Sequence, residues 1–273
     1  MAYPMNVCSL TFLPTPQENN KEQKTLMTIP ATQTKIAQLA PVLITGGGRR
    51  LGRHAAETLA DSGQPVIITY RTERPELDLL RAKGITTLQA DFTDEAHILD
   101  FIQRLKNATL CLRGIIHNAS DWLPDQQDLK SASENFQHLF TVHMLAPLLI
   151  NQACEPLLLA YQGQRDIIHI SDAVVQKGSK KHGAYVATKA GLESLTQSFA
   201  ARFAPNIKVN AIAPALIMFQ PNDDAAYREK ALKKSALQIE PGAEVITQTI
   251  QYIMDNRYLT GVILPVEGGR SVI

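Results

Sequence analysis

A doubly wound α/β domain, one parallel sheet between two layers of helices, is the fold this sequence predicts, and two observations carry it. Short apolar runs alternate regularly with longer amphipathic segments, the pattern of repeated strand–helix units. A glycine cluster separates the first apolar run from the first amphipathic one, as in dinucleotide-binding sheets of Rossmann type. The candidate strands are Pro41–Ile44, Pro65–Thr69, Thr86–Gln89, Gly114–His117, Asp166–Ile170, Ile207–Ile212 and Val262–Pro265. Each is a brief apolar run, as expected of a strand buried on both faces. The helical segments between them include Leu51–Ser62, Asp94–Leu105, Ser133–Tyr161, Ala184–Ala204 and Ala243–Met254.

Residues Met1 to about Leu39 are rich in Pro, Thr, Gln, Asn and Lys and carry neither strand nor helix periodicity. They predict a disordered extension (1–39) ahead of one folded domain (40–273), with no internal repeat and no second domain. A translation start at Met27 would leave that domain whole.

The 273 residues are 45% hydrophobic and 19% charged, within the range of an ordinary globular chain. With 27 basic and 26 acidic residues and no long run of one sign, nothing marks a nucleic-acid or anionic-membrane surface, and small-molecule chemistry is the expectation. No uninterrupted apolar stretch approaches the roughly 20 residues of a transmembrane helix. The patch around Val7 to Leu13 lacks the basic flank and cleavage site of a signal peptide. Cys8, Cys111 and Cys154 are widely spaced and form no metal-ligand pattern, so reduced thiols in the cytoplasm are expected.

The first turn reads Thr45-Gly46-Gly47-Gly48-Arg49-Arg50-Leu51-Gly52. Glycine lets backbone approach a pyrophosphate, and the helix that opens near Leu51 presents free N–H donors and a positive dipole end. At the end of the second strand stands Arg71, where an acid would suit the ribose hydroxyls of NAD and a base the 2′-phosphate of NADP, so the expected cofactor is NADPH. Asp91 and Phe92 follow the third strand and either contact the adenine or belong to the start of the next helix at Asp94.

Tyr185-Val186-Ala187-Thr188-Lys189 opens a helical segment. Residues four apart share a face, so phenol and ammonium can line one pocket, and the positive charge is expected to lower the phenol pKa from about 10.

From about Ala40 onward the chain resembles the short-chain dehydrogenase/reductase family. The resemblance rests on the glycine turn Thr45–Gly52, Asn118-Ala119 after the fourth strand, Tyr185 with Lys189, Asn210-Ala211-Ile212-Ala213-Pro214, and Thr260-Gly261 with Glu267-Gly268-Gly269. It implies hydride transfer from a nicotinamide, Tyr185 as proton donor, Lys189 on the nicotinamide ribose, and Asn118 with neighbouring backbone at the cofactor. It also implies a homotetramer built through long helices such as Ser133–Tyr161.

Departures from the family pattern carry the substrate reading. Arg50 stands where glycine is usual, and Asp172 where serine is usual, thirteen residues before the tyrosine. Both are similar to pteridine reductases and bacterial dihydromonapterin reductases, as is the run His117-Asn118-Ala119-Ser120-Asp121-Trp122. In such enzymes the pterin lies between the nicotinamide and an aromatic ring two residues beyond the serine of the Asn-Ala-Ser unit. That position is Trp122, a stacking platform unless it is simply packed in the core. The resemblance places Ser120 at both cofactor and substrate, and Arg50 supplies a cation near pyrophosphate and substrate. Asp172 is expected to be protonated, or to work through Tyr185, in delivering a proton to a ring nitrogen.

The family's usual asparagine falls at His143, which either supports Lys189 through water or is a satisfied core histidine. Ser171 could partly replace the missing serine, although a neighbour one residue out of register on a strand faces the other way. The polar segment from Ala215 to Gln238 lies where the family has a mobile substrate lid. Together these predict NADPH-dependent reduction of a dihydropterin, dihydromonapterin foremost, with minor activity on dihydrofolate. The alternatives are a carbonyl reductase such as a 3-oxoacyl reductase, which would be expected to keep serine and asparagine at 172 and 143, and a non-catalytic NADPH sensor, which needs no Tyr185.

Overall fold

The computed structural model describes residues 40–273. The expected extension, the alternative start at Met27 and Cys8 lie outside the described residues. Seven strands form one sheet in the order β3-β2-β1-β4-β5-β6-β7: β1 Val42–Thr45, β2 Val66–Tyr70, β3 Thr86–Gln89, β4 Gly114–His117, β5 Asp166–Ile170, β6 Lys208–Pro214 and β7 Ile263–Val266. All pairs are parallel, with Val42 opposite both Val66 and Gly114. The order reverses between β1 and β4, which opens a crevice at the carboxyl ends of those strands, where open α/β sheets bind ligands.

Alternate strand residues face opposite sides. Leu43, Ile67, Ile115 and Ile167 meet one layer of helices through Phe101, Ile150 and Phe203. Ile44, Ile68, Ile116 and Ile168 meet the other through Ala55, Leu59 and Ile250. Burial on both faces is why these strands are continuous apolar runs in the sequence.

The helices are α1 Arg50–Asp61, α2 Glu76–Ala82, α3 Glu95–Ala108, α4 Leu129–Phe140, α5 Ala146–Ala160, α6 Gly183–Phe203, α7 Ala225–Leu232 and α8 Glu244–Asp255. Small residues Gly52, Ala55 and Ala56 bring α1 close to the sheet, and Asp94 caps α3 by accepting from the Ala96 and His97 amides. Two helices were not expected. α2 is too short to show a period, and α7 has no buried residue and hence no apolar stripe.

The long segment expected as one helix is interrupted by a π-helical turn, Thr141–Leu145, where the Ala146 amide bonds the Thr141 carbonyl five residues back. Pro147 has no N–H for the His143 carbonyl, and the wider turn accommodates that lost bond. By length and composition alone the 32-residue run Leu129–Ala160 could cross a membrane, contrary to the sequence expectation. Part of its apolar surface, including Leu139, Ile150 and Leu158, packs in the core of this domain, and its buried polar groups His143 and Asn151 find their partners inside the same domain.

Candidate active site

The glycine turn is held closed from two sides. The Gly46 amide donates to Thr69 Oγ1 at 2.9 Å, and Asn118 Nδ2 donates to the Thr45 and Gly46 carbonyls at 3.1 and 3.0 Å. Gly46 has φ +65°, and a Cβ there would lie 2.9 Å from the Ala119 backbone. Asn118 thus ties the β1 turn to the end of β4.

Arg50, the first residue of α1, sits at φ +50°, a left-handed conformation that explains why glycine suits this position elsewhere. Its guanidinium donates to the Met218 carbonyl at 3.1 Å, the Phe219 carbonyl at 3.4 Å and Gln220 Oε1 at 2.7 Å. The expected cation at the pyrophosphate turn therefore also anchors the segment after β6.

A groove of about 580 Å³ runs from this turn along the crevice. Gly46, Arg49, Leu51 and Asn118 line it together with Arg71, Asp91 and Phe92, and with Ser120 and Trp122. The Phe92 ring belongs mainly to the core, edge-on to Phe101 at 5.4 Å, and Asp91 accepts the Thr93 amide. Arg71 Nη1 pairs with Asp121 Oδ2 at 3.0 Å, and the same oxygen meets His138 Nε2 at 2.8 Å. Four arginines, 49, 50, 71 and 74, face the groove beside the α1 N-terminus, and the turn admits no Cβ at Gly46. This donor set fits a dinucleotide with phosphates at its middle and at its adenosine ribose.

Tyr185, Lys189 and Asp172 are not among the residues lining this groove; α6 places Tyr185 and Lys189 on one buried face behind Trp122, which does line it. Tyr185 Oη donates to Asp172 Oδ2 at 3.0 Å, while Asp172 Oδ1 accepts the Val174 amide at 2.8 Å and so caps a short 3₁₀ turn, Ala173–Gln176. Lys189 Nζ donates to the Ile170 carbonyl at 2.8 Å and lies 5.7 Å from the Tyr185 ring centroid.

Burial pushes the Asp172 carboxyl up, against the opposing pull of the Val174 amide, the Tyr185 hydroxyl and Lys189. Burial, then the Asp172 charge and hydrogen bond, raises the Tyr185 phenol well above its ordinary value. Burial pulls Lys189 down to about 8. The expectation that Lys189 lowers the phenol's pKa is corrected here: the ammonium points at a carbonyl, and desolvation with the adjacent carboxyl dominates. Both members of the Tyr185–Asp172 pair are thus shifted toward their protonated forms.

His143 is buried on the π-helical turn. Its Nδ1 lies 2.9 Å from Thr188 Oγ1, and its Nε2 lies 2.9 Å from Ser120 Oγ and 3.3 Å from the Asp121 amide. Burial, aided by Lys189 and His138, lowers its pKa to about 2. Of the two readings left open, a satisfied buried histidine is observed, and its link runs to Ser120 rather than to Lys189. Ser171 faces away, donating to Glu193 Oε1 at 2.6 Å.

Trp122 is 55% exposed, so it is no core residue. Its ring stands edge-on to Tyr185 at 4.5 Å and tilted over His182 at 4.1 Å. The loop carrying it is docked on α6: Asp125 accepts the Gly183 and Ala184 amides at 2.6 and 3.1 Å, and His182 Nδ1 donates to the Leu123 carbonyl at 3.0 Å. Asp125, Asp121, His182 and Gln220 escaped the sequence reading. Asp125 caps a helix 58 positions away, and no local pattern marks such a cap.

Residues 47–271 match the family described as Enoyl-(Acyl carrier protein) reductase. With its glycine turn, its Tyr-x-x-x-Lys face and this match, the chain belongs to the short-chain dehydrogenase/reductase family. Among curated relatives it is 47% identical to a dihydromonapterin reductase of Klebsiella pneumoniae over 86% of this chain and 98% of that protein. It is 42% identical to a dihydromonapterin reductase of Escherichia coli, over 86% and 98% respectively. Among solved structures it resembles FolM alternative dihydrofolate reductase 1 from Brucella canis, complexed with NADP. The TM-score is 0.77 at 25% identity, covering 88% of this chain and 96% of that one.

Proposed function

We propose that this chain is an NADPH-dependent oxidoreductase that reduces a dihydropterin to the tetrahydropterin, with dihydromonapterin preferred and dihydrofolate a minor substrate. The observation that carries the reading is the Tyr185–Asp172 hydrogen bond beside an outward-facing indole at Trp122. A carbonyl reductase would be expected to keep serine where this chain has Asp172, whereas a carboxyl hydrogen-bonded to a phenol makes a pair of coupled acids suited to protonating a ring nitrogen. The relatives named as dihydromonapterin reductases, and the alternative dihydrofolate reductase structure complexed with NADP, support the same substrate and cofactor.

NADPH, when bound, would supply the hydride for a ring carbon of the C=N bond. Tyr185, directly or through a water, gives its proton to the adjacent nitrogen and is reprotonated through Asp172. Lys189 holds the nicotinamide ribose and steadies the Ile170–Asp172 strand end. The pterin stacks on Trp122, with Ser120 and Arg50 at its polar edge. Gly46, Arg49, Arg50, Leu51, Asn118 and Ser120 would cradle the cofactor's phosphates and central part; Arg71 would take the 2′-phosphate, and Asp91 and Phe92 would border the adenine.

Residues 40–273 carry this chemistry, and the family match, over residues 47–271, lies within them. A homotetramer forms through α4 and α5, where Leu129, Phe136 and Leu159 stand exposed. Buried free thiols Cys111 and Cys154 suit a reducing cytoplasm. Light scattering tests the assembly. NADPH consumption compared across dihydromonapterin, dihydrobiopterin, dihydrofolate and a 3-oxoacyl thioester tests the activity. Turnover of the thioester alone would overturn the reading.

A further inference from the structure

His143 offers two ring nitrogens to fixed partners, and both constraints select the same tautomer. On one side Thr188 Oγ1 spends its proton on the Tyr185 carbonyl at 2.8 Å, so toward His143 it can only accept, and Nδ1 must carry hydrogen. On the other side the Asp121 amide can only donate, so Nε2 must be a bare acceptor. Ser120 Oγ lies 2.9 Å from that same bare nitrogen, and its single proton is therefore committed to His143.

The consequence reaches the groove. Ser120 is exposed and lines the groove next to Trp122. With its proton held from behind, it shows a bound molecule lone pairs only. The phenol proton of Tyr185 is likewise directed at Asp172. A ring edge bearing an N–H donor finds a partner at Ser120, and a carbonyl oxygen or bare nitrogen there does not.

We propose that His143 is a positioning residue that fixes Ser120 as a hydrogen-bond acceptor and thereby selects a heterocycle edge presenting N–H. The substrate class in that statement rests on the function proposed above; the proton lock on Ser120 does not.

Two measurements test it separately. In protein with ¹⁵N-labelled histidine, assigned with His143→Gln, the His143 ring is expected as the neutral Nδ1–H form between about pH 5 and 8. An Nε2–H ring or an imidazolium in that window overturns the lock, whatever the substrate. In steady-state assays with dihydromonapterin, Ser120→Ala and His143→Leu each raise KM about tenfold, or about 1.4 kcal/mol, with kcat changed far less. The double variant is no worse than either single one, because His143 acts through Ser120. His143→Gln, whose amide can donate to Thr188 and accept from Ser120, recovers most of the KM and stands in if the leucine variant misfolds. Additive losses, about a hundredfold in the double variant, would show a merely structural role and overturn the proposal. If wild-type protein turns over no dihydropterin, the proposed function fails while the tautomer measurement still decides the lock.

Discussion

Tyr185 and Asp172 share one proton path, and the direction in which each is shifted sets the pH dependence. Both are raised, chiefly by burial. While Asp172 is protonated the phenol has no adjacent charge opposing its ionisation, and it is the better acid. As pH rises through the elevated Asp172 pKa, the new carboxylate holds the phenol proton and kcat falls. Asp172→Asn is expected to abolish that alkaline limb and to cost tenfold or more at the wild-type optimum, as a fraction of the roughly 10²–10⁴ available from acid catalysis. Tyr185→Phe loses that whole range. A pH–rate profile of the asparagine variant with the limb intact and full activity would refute the coupling. At Arg50 two effects oppose each other: glycine relieves a left-handed residue by about 1–2 kcal/mol, and loses three hydrogen bonds to 218–220 worth about 1 kcal/mol each or less. Arg50→Gly therefore leaves Tm nearly unchanged while raising substrate KM, which calorimetry and kinetics on one preparation resolve.

The catalytic helix α6 is held at its start by a loop rather than by its own cap: His182 makes no capping bond, and Asp125 supplies the acceptors. Asp125→Ala is expected to cost about 1 kcal/mol, or roughly 2–4 °C in Tm for a domain this size. Because the same loop carries Trp122, substrate KM should rise more than kcat falls. In the sequence the strands, the glycine turn and the Tyr185–Lys189 face were legible because each is written locally, in a run, a turn or a four-residue spacing. The π-helical turn was not, since it depends on Pro147 denying a bond to His143. Nor was the Arg71–Asp121–His138 cluster, which three separate elements assemble. Phe92 follows β3 in the groove lining while its ring packs edge-on against Phe101, a core contact that its position after the strand does not reveal.

Across the whole molecule, charge placement makes the domain sensitive to acid. His117 and His169, side by side across β4 and β5, are buried and joined through Asn151, at 2.8 and 3.2 Å. Burial lowers His117 to about 4, His143 to about 2, and His169 well below its ordinary value. Folding favours their neutral forms, so stability is complete above the unfolded pKa of about 6.5 and is lost as pH falls from there toward 4. Urea midpoints measured across that interval should decline steadily, and a flat profile would contradict the burial of these rings. Asp166, nearly inaccessible at the start of β5, pairs with Arg113 at 2.6 Å and Lys208 at 2.9 Å. Asp166→Ala strands two largely buried cations and should cost about 3–5 kcal/mol. One experiment bears most directly on the central claim that Asp172 and Tyr185 together deliver a proton to a reduced pterin. It is the pH dependence of kcat for NADPH-driven dihydromonapterin reduction, in wild type and Asp172→Asn. An alkaline limb present in the first and absent from the second is the expected result; identical profiles, or no pterin turnover by the wild type, would contradict it.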